Sequence, residues 1–216
     1  MNDRLPWSIS TRFSTVSKYF PDQINARDRR ELRWLSKDAR VIIDIGTFCG
    51  AAAECFLLAQ PGDGHVFTVD IFKSCFMPYV GQVDGEEVLE QAQRRLNHFG
   101  DRAKIIRSES TNAAKMFAPE TADLVFLDAA HDYESVLTDI RAWLPILKPA
   151  GVIAGHDFDR ECYGPLFTNI ERFKHLEIGP DNAHYGVFAA VVKSFNQVTI
   201  TASKRSSVWW VTPEQR

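Results

Sequence analysis

Four aspartates follow short apolar runs in this sequence, and their placement indicates a ligand site. Asp44, Asp70, Asp128 and Asp157 each stand at or just beyond the end of a predicted strand. Predicted strands and helices alternate along the chain, which is typical of an open parallel sheet with helices on both faces. In such sheets, ligands bind beyond the carboxyl ends of the strands. The recurrence of acids at these positions is the main indication of a functional site.

A glycine-rich turn, residues 44–50 (DIGTFCG), follows the first predicted strand. Gly46 and Gly50 let the backbone turn sharply and approach a ligand closely. Their GxxxG spacing differs from the GxGxxG of dinucleotide-binding turns, so phosphate at the helix N-terminus is not the first expectation. Asp44 could attract a cationic group such as an ammonium or a sulfonium. Asp70, at the end of the next strand, could accept hydrogen bonds from two ribose hydroxyls.

These features resemble known enzymes. The segment DIGTFCG is similar to motif I of class I methyltransferases that use S-adenosylmethionine (SAM), and its TFCG part to the catechol-type O-methyltransferases. A bacterial branch that includes O-methyltransferases of sugars and macrolide-attached sugars is resembled by residues 127–133 (LDAAHDY), 139–140, 143–145, 147–151 (LKPAG) and 156–157. The resemblance covers roughly residues 35–212.

The resemblance implies an enzyme that methylates a hydroxyl of a small acceptor such as a sugar, a glycoside or another natural product. The cofactor would be SAM, with a divalent metal (magnesium, manganese or another) as a further possibility. The residues that it assigns to cofactor binding are Asp44, Gly46, Thr47, Phe48, Gly50, Asp70, Ile71, Ser108, Glu109, Ser110 and Asp128.

The possible metal site follows from the same resemblance. Catechol-type enzymes hold magnesium with an acid after the fourth strand and an Asp-Asn pair after the fifth. By position, Asp128 is the first ligand, and His156 and Asp157 fall on the pair. Magnesium prefers oxygen ligands, whereas imidazole suits zinc, iron or manganese. The site could hold a different metal, hold one through the two aspartates alone, or hold none, with His156 and Asp157 shaping the pocket.

His131 is the candidate general base. It lies three residues after Asp128, where the catechol-type pattern has a lysine. A histidine near its ordinary pKa can accept a proton at neutral pH. The alternative is a loop histidine that orders Asp128 or caps the following helix. The other histidines have no convergent partners in the sequence and are predicted to be surface or turn residues: His65, His98, His175 and His184.

The predicted fold is α/β, a Rossmann-like doubly wound sheet of seven mostly parallel strands with an antiparallel C-terminal hairpin. Predicted strands cover residues 41–45, 65–69, 103–107, 124–127, 152–154, 198–202 and 208–211. Predicted helices cover residues 28–36, 51–60, 86–99, 135–147 and 187–195. Residues 72–85 are predicted to be irregular, with Phe72, Phe76 and Tyr79 lining a pocket or packing as a lid.

Composition limits the function classes. Residues 1–30 read as an arm or cap and residues 31–216 as one domain with a large core. The formal net charge of −3 argues against a broad nucleic-acid or membrane footprint. The four cysteines have no CxxC spacing and are expected to be reduced thiols in a cytoplasmic protein. The sequence does not decide the oligomeric state, for which a homo-oligomer is one alternative.

Two other functions fit parts of the pattern. A Rossmann-type NAD-dependent oxidoreductase would also use Asp70, although the GxGxxG turn is missing. A SAM-binding module without catalysis would keep the cofactor turn and act through a partner.

Overall fold

The structure, a computed structural model, describes residues 24–77, 81–158, 167–179, 182–201 and 206–216. Seven strands form the main sheet in the order β5-β2-β1-β6-β7-β9-β8. These strands are β1 (Val41–Ile45), β2 (His65–Asp70), β5 (Ala103–Arg107), β6 (Ala122–Leu127), β7 (Leu147–Gly155), β8 (Thr199–Ile200) and β9 (Trp209–Val211). β3 (Cys75–Met77) and β4 (Gly81–Val83) form a separate antiparallel pair.

The helices that the structure describes are α1 (Ala26–Ser36), α2 (Ala51–Ala59), α3 (Gly85–Leu96), α4 (Ser110–Ala114), α5 (Tyr133–Trp143), α6 (Phe167–Phe173) and α7 (Tyr185–Ser194). Short 3₁₀ segments follow α3 at Asn97–Arg102 and α5 at Leu144–Ile146, and another lies at Pro213–Gln215. Within the described ranges, no helix combines the length and apolarity that a membrane crossing requires.

The core lies on both faces of the sheet, because β1 is buried on both sides. Ile43 packs on one face in a cluster with Trp143 of α5 and Phe188 of α7. Ile42 faces the other way, in a cluster with Leu32 of α1 and Phe56 of α2. A strand covered on both faces needs a mostly apolar run, which residues 41–45 provide except at Asp44. The doubly wound arrangement predicted from the sequence is confirmed.

The strand pairing confirms the predicted topology. β5, β2, β1, β6 and β7 pair in parallel, whereas β9 pairs antiparallel with both β7 and β8. The parallel pairing aligns the ends of β1, β2 and β6, with Ile45 opposite both Val69 and Leu127. The residues that follow these strands therefore meet at one edge of the sheet.

Two predicted stretches were wrong. Residues 72–85 contain the β3–β4 pair rather than irregular chain, and residues 78–80, with Tyr79, lie outside the described residues. β7 begins at Leu147, not at residue 152, because Leu147 pairs with Ala122 before a register shift. Pro149 lies within that irregular stretch, where a strand tolerates a residue without an N–H.

The predicted boundary between residues 30 and 31 falls inside α1. That helix begins at Ala26 because the Asn25 side chain caps it, accepting hydrogen bonds from the N–H groups of Arg27 and Asp28. Leu32, one turn after Asp28, is fully buried in the core. Residues 1–23 of the predicted arm lie outside the described residues, so the arm stays a prediction.

Candidate active site

The glycine-rich turn after β1 has a backbone conformation in which only glycine fits at residue 46. Gly46 has a φ of +101° and donates its N–H to the Val69 carbonyl oxygen at 2.9 Å. A Cβ at Gly46 would overlap the carbonyl oxygen of Asp128. The turn therefore packs directly against the main chain that follows β6, where the second group of candidate residues begins.

Asp70 connects this turn to the loop after β2. Its Oδ2 accepts the Phe48 N–H at 2.9 Å and its Oδ1 accepts the Phe72 N–H at 2.7 Å. Both phenylalanines have positive φ, 44° and 49°. Each carboxylate oxygen keeps a second lone pair. Asp70 can therefore accept the two ribose hydroxyls while holding the turn in place.

Asp44 is a fully buried carboxyl beneath the turn. Burial, with the nearby charges of Asp128 and Asp70 adding to it, raises the pKa of Asp44 to about 8, although the Thr68 hydrogen bond acts in the opposite direction. That bond joins Thr68 Oγ1 to Asp44 Oδ2 at 2.7 Å, and Thr47 Oγ1 lies 2.6 Å from Thr68 Oγ1. Asp44 Oδ1 has no hydrogen-bond partner among the described residues. A cation beside Asp44 would favour its charged form.

The segment after β5 reaches the same region. Ser108 donates its N–H to the Asp70 carbonyl oxygen at 3.0 Å. Ser110 opens α4, and its Oγ accepts the Trp143 Nε1–H at 2.8 Å. Glu109 is exposed, and so is Ile71, next to Asp70. Ser108 and Ile71, two of the positions that the resemblance assigned to the cofactor, therefore border Asp70.

The packing of Phe72 agrees with the prediction of a lid and not with that of a pocket lining. Only 3% of its surface is exposed, and it packs with Val83 and Val88. The Phe76 side chain lies outside the described part of the structure.

Acids and histidines cluster where β6 and β7 end. His131 Nε2 lies 3.0 Å from Asp157 Oδ2 and 3.9 Å from Asp128 Oδ1. His131 Nδ1 lies 3.3 Å from Glu177 Oε2, which also accepts the His131 N–H at 2.9 Å. His184 Nδ1 lies 3.6 Å from Asp157 Oδ1. One carboxylate, Asp157, thus faces two histidines here, and His156 makes a third.

His156 is held on both ring nitrogens. Its Nδ1 lies 3.1 Å from Asp157 Oδ1, and its Nε2 lies 3.3 Å from Asp28 Oδ2 and 3.3 Å from Ser207 Oγ. Asp28 belongs to α1, so the first described helix contributes a fully buried carboxyl to the cluster. Trp209 Nε1 donates to the His156 carbonyl oxygen at 3.2 Å, which fixes the main chain at the end of β7.

The charges in this cluster shift the pKa values of its members. Burial alone would lower the pKa of His131, but the carboxylates of Asp128, Asp157 and Glu177 raise it well above its ordinary value. The carboxylates of Asp157, Asp128 and Asp28 likewise raise the pKa of His156 well above its ordinary value, although burial acts to lower it. The two histidines in turn hold the pKa of Asp157 well below its usual range against the effect of burial. The free cluster therefore favours two imidazolium rings around ionised Asp157.

The sequence prediction missed several members of this cluster. His184, predicted as a surface or turn residue, lies beside Asp157, so that prediction was wrong. Glu177 and Ser207 lie on loops that fold over the site, and no local pattern in the sequence predicts the position of these loops. Asp28 did leave a signal, because Leu32 stands four residues later on the same helix face and points into the core.

Among the residues that the structure describes, two groups of side chains could hold a metal ion. Their donor atoms lie within 4.8 Å of one another in each group. The groups are Asp128, His156 and Asp157, and His131, Asp157 and His184. Both mix imidazole with carboxylate, a donor set that suits first-row transition metals and zinc better than magnesium. The first is the group that the resemblance assigned.

A cavity opens between the cluster and the helices α5 and α7. Asp128, His131 and His156 line it together with Asp139 and Trp209. Because Gly46 packs on Asp128, this cavity and the glycine-rich turn adjoin each other. The site therefore combines a place for an adenosine-type cofactor with a place for acid–base or metal chemistry. That combination on a Rossmann-like sheet is the arrangement of class I methyltransferases.

The chain belongs to a methyltransferase-domain family, whose model matches residues 43–158, just over half of its length. A curated relative, the uncharacterized protein y4gI of Sinorhizobium fredii, is 27% identical over 131 residues. That match covers 58% of this chain but only 14% of the relative's length.

Solved structures share the fold. Cofactor-bound Rv0187 from MTB has a TM-score of 0.68 at 16% identity, covering 96% of this chain and 89% of that one. The Bacillus cereus O-methyltransferase in complex with SAH has a TM-score of 0.65 at 16% identity, covering 94% and 88%. TomG of Streptomyces achromogenes, an O-methyltransferase in complex with SAM, has a TM-score of 0.61 at 19% identity, covering 98% and 99%.

Proposed function

We propose that the protein transfers the methyl group of SAM to a hydroxyl oxygen of a small acceptor. The observation that carries the proposal is the packing of Gly46 on Asp128, which joins the cofactor turn to the acid–histidine cluster. The solved O-methyltransferases with SAM or SAH support it through the shared fold. A sugar, a glycoside or another natural product is the proposed acceptor class.

The turn and its neighbours are proposed to bind the cofactor. Asp70 would accept the ribose hydroxyls, and the carboxyl of Asp44 would favour the cationic end of SAM. Gly46 and Gly50, both with positive φ, allow the backbone of the turn to adopt this conformation beside the ligand. The remaining proposed contacts are Thr47, Phe48, Ile71, Ser108, Glu109, Ser110 and Asp128.

Methyl transfer is an in-line displacement. The acceptor oxygen forms a bond to the methyl carbon while the carbon–sulfur bond breaks. The electron pair of the broken bond stays on sulfur, so the product SAH is a neutral thioether. The acceptor proton goes to a base, for which we propose His131. The cluster's carboxylates favour protonated His131, so this role requires their charge to be offset when the acceptor is bound.

The proposed metal ligands are Asp128, His156 and Asp157. A divalent metal there would lower the pKa of the acceptor hydroxyl and orient it. The cytoplasmic location is likewise a proposal, supported by the free thiols of Cys55 and Cys75 in the described part of the chain.

Calorimetric titration with SAM, SAH and NAD tests the cofactor. We expect binding of SAM and SAH and none of NAD. Binding of NAD alone would overturn the methyltransferase proposal and support the oxidoreductase alternative. SAM binding with no SAH release across a panel of sugars, glycosides and catechols would favour the non-catalytic module.

A variant pair tests the base. With an acceptor in hand, His131→Ala should lower kcat by 10²–10⁴-fold, roughly the contribution of a general base. His98→Ala serves as the control, because His98 stacks on Phe99 outside the cluster. Near wild-type turnover of His131→Ala would reject the base role and leave His131 as a residue that orders Asp128.

A further inference from the structure

Asp28 is a fully buried carboxyl in the first turn of α1. Aspartates are almost never fully buried unless they are paired. Asp28 Oδ2 accepts a hydrogen bond from the Asn25 amide and lies 3.3 Å from His156 Nε2. Asp28 Oδ1 has no hydrogen-bond partner within the described ranges. The position of this carboxyl is therefore explained chiefly by His156.

Asp28 and Asp157 face opposite nitrogens of the same imidazole. His156 Nε2 faces Asp28, whereas Nδ1 faces Asp157 Oδ1 at 3.1 Å, and the His156 residue forms a group of potential metal donors with Asp128 and Asp157. Histidines that bind metals usually donate the other ring N–H to a carboxylate, which fixes the tautomer and the ring orientation. The arrangement Asp28–His156–donor group has this form, with Ser207 Oγ as a second neighbour of Nε2 at 3.3 Å.

The spacing of the donors also fits a metal. Bonds of about 2.0–2.2 Å place two neighbouring ligand atoms roughly 2.8–3.6 Å apart, from octahedral to tetrahedral angles. The separation of 3.1 Å between His156 Nδ1 and Asp157 Oδ1 falls in that range. One imidazole with two carboxylates suits manganese, cobalt or zinc, whereas magnesium keeps oxygen ligands and dehydrates reluctantly.

We propose that His156 Nδ1, Asp128 and Asp157 bind a divalent transition metal or zinc in preference to magnesium, and that Asp28 is the positioning residue that holds His156 for it. The use of this metal in catalysis rests on the proposed function. Binding itself can be measured without SAM or an acceptor, so the two proposals fail separately.

The test is equilibrium titration of the untagged, metal-free protein with CoCl₂ and with MgCl₂, with cobalt followed by its visible absorption. We expect wild type to bind Co²⁺ at least about tenfold more tightly than Mg²⁺. Asp28→Asn should weaken Co²⁺ binding by about 10–100-fold, the usual effect of losing such a partner. Asp38→Asn is the matched control, because the Asp38 side chain is 87% exposed just after the same helix.

Three results would overturn the proposal. Equal affinity of wild type for Mg²⁺ and Co²⁺ would reject the metal class. Equal Co²⁺ affinity of Asp28→Asn and Asp38→Asn would reject the positioning role. Weaker Co²⁺ binding in His184→Ala, without an effect of Asp28→Asn, would move the metal to the group with His131.

A second measurement does not depend on the folding of Asp28→Asn. In wild type with ZnCl₂, ¹⁵N NMR of the imidazoles distinguishes a metal-bound nitrogen from a protonated one. His156, identified by the signal that His156→Gln loses, should show zinc on Nδ1 and a proton on Nε2. Zinc on Nε2, or no change at His156, would contradict the proposal.

Discussion

Gly46 shows how strongly one residue can be constrained by the chain around it. Its φ of +101° is strained for other residues, and a Cβ would overlap the main chain of Asp128. We expect Gly46→Ala to lower the free energy of unfolding by about 2–5 kcal/mol, from backbone strain plus overpacking. Gly62→Ala is the control, since a Cβ there meets nothing within 4 Å. Denaturant unfolding measures both, and equal losses would contradict the explanation.

Asp44 makes the stability of the protein depend on pH. Its pKa is about 8 in the folded protein, against an ordinary value of 3.8. Between these values the folded protein binds more protons at Asp44 than the unfolded chain does, so stability falls as pH rises. Asp44→Asn should remove this slope, which amounts to at most about 1.4 kcal/mol per pH unit.

Urea unfolding between about pH 5 and pH 7.5 measures that slope, with Asp38→Asn as the exposed control. The stability of Asp44→Asn relative to wild type should increase across this range. Parallel pH curves for wild type and Asp44→Asn would show that Asp44 is already ionised in the folded protein.

At this scale, the acids just beyond the ends of β6 and β7 could be predicted, because parallel strands end at one edge of the sheet. Asp128 and Asp157 were found in this way. Glu177 and His184 could not be found, because they reach the cluster through loops and a helix start whose position depends on tertiary packing. A histidine in sequence carries no indication of the carboxylate that it will face in the fold.

Among the elements, α5 connects the cluster to the core. Asp132, directly after His131, caps the helix by accepting the Ser135 N–H at 3.1 Å. Asp132→Ala should lower the free energy of unfolding by about 1 kcal/mol, because it leaves a helix-terminal N–H without its partner. Thermal and urea unfolding would measure the loss. Glu134→Gln, on the exposed first turn, should change the free energy of unfolding by only a few tenths of a kcal/mol. Equal effects of the two substitutions would reject the capping role of Asp132.

The elements were predicted where one physical signal dominated. β1 was predicted to the residue, since residues 41–45 are apolar except for Asp44, as a buried parallel strand requires. The start of β7 was missed because Pro149 and Gly151 usually end elements, and only the register shift opposite β6 accommodates them. β3 and β4 were missed because three-residue strands give too little alternation to detect.

For the molecule as a whole, the two sheets should differ in local stability. β1 lies in the middle of the main sheet and is buried on both faces, whereas β3 and β4 pair only with each other. An isolated two-stranded pair is marginally stable. We expect the β1 amides to exchange hydrogen only through global unfolding and the β4 amides through local opening.

Native-state hydrogen exchange followed by mass spectrometry or NMR tests this expectation. The β4 amides should exchange at a rate that is insensitive to low denaturant, unlike those of β1. Equal protection of Gln82 and Ile43 would show that the β3–β4 pair unfolds only with the main sheet.

The contacts of Ser207 and Trp209 have a consequence for the order in which parts of the protein fold during synthesis. The Asp157 N–H donates to Ser207 Oγ, and the His156 carbonyl oxygen accepts from Trp209, across about fifty residues of chain. Until the ribosome has released residues 206–211, β7 is an open sheet edge and His156 and Asp157 lack these anchors. A nascent chain can therefore form its parallel strands early and assemble the acid–histidine cluster only near the end of translation of this segment.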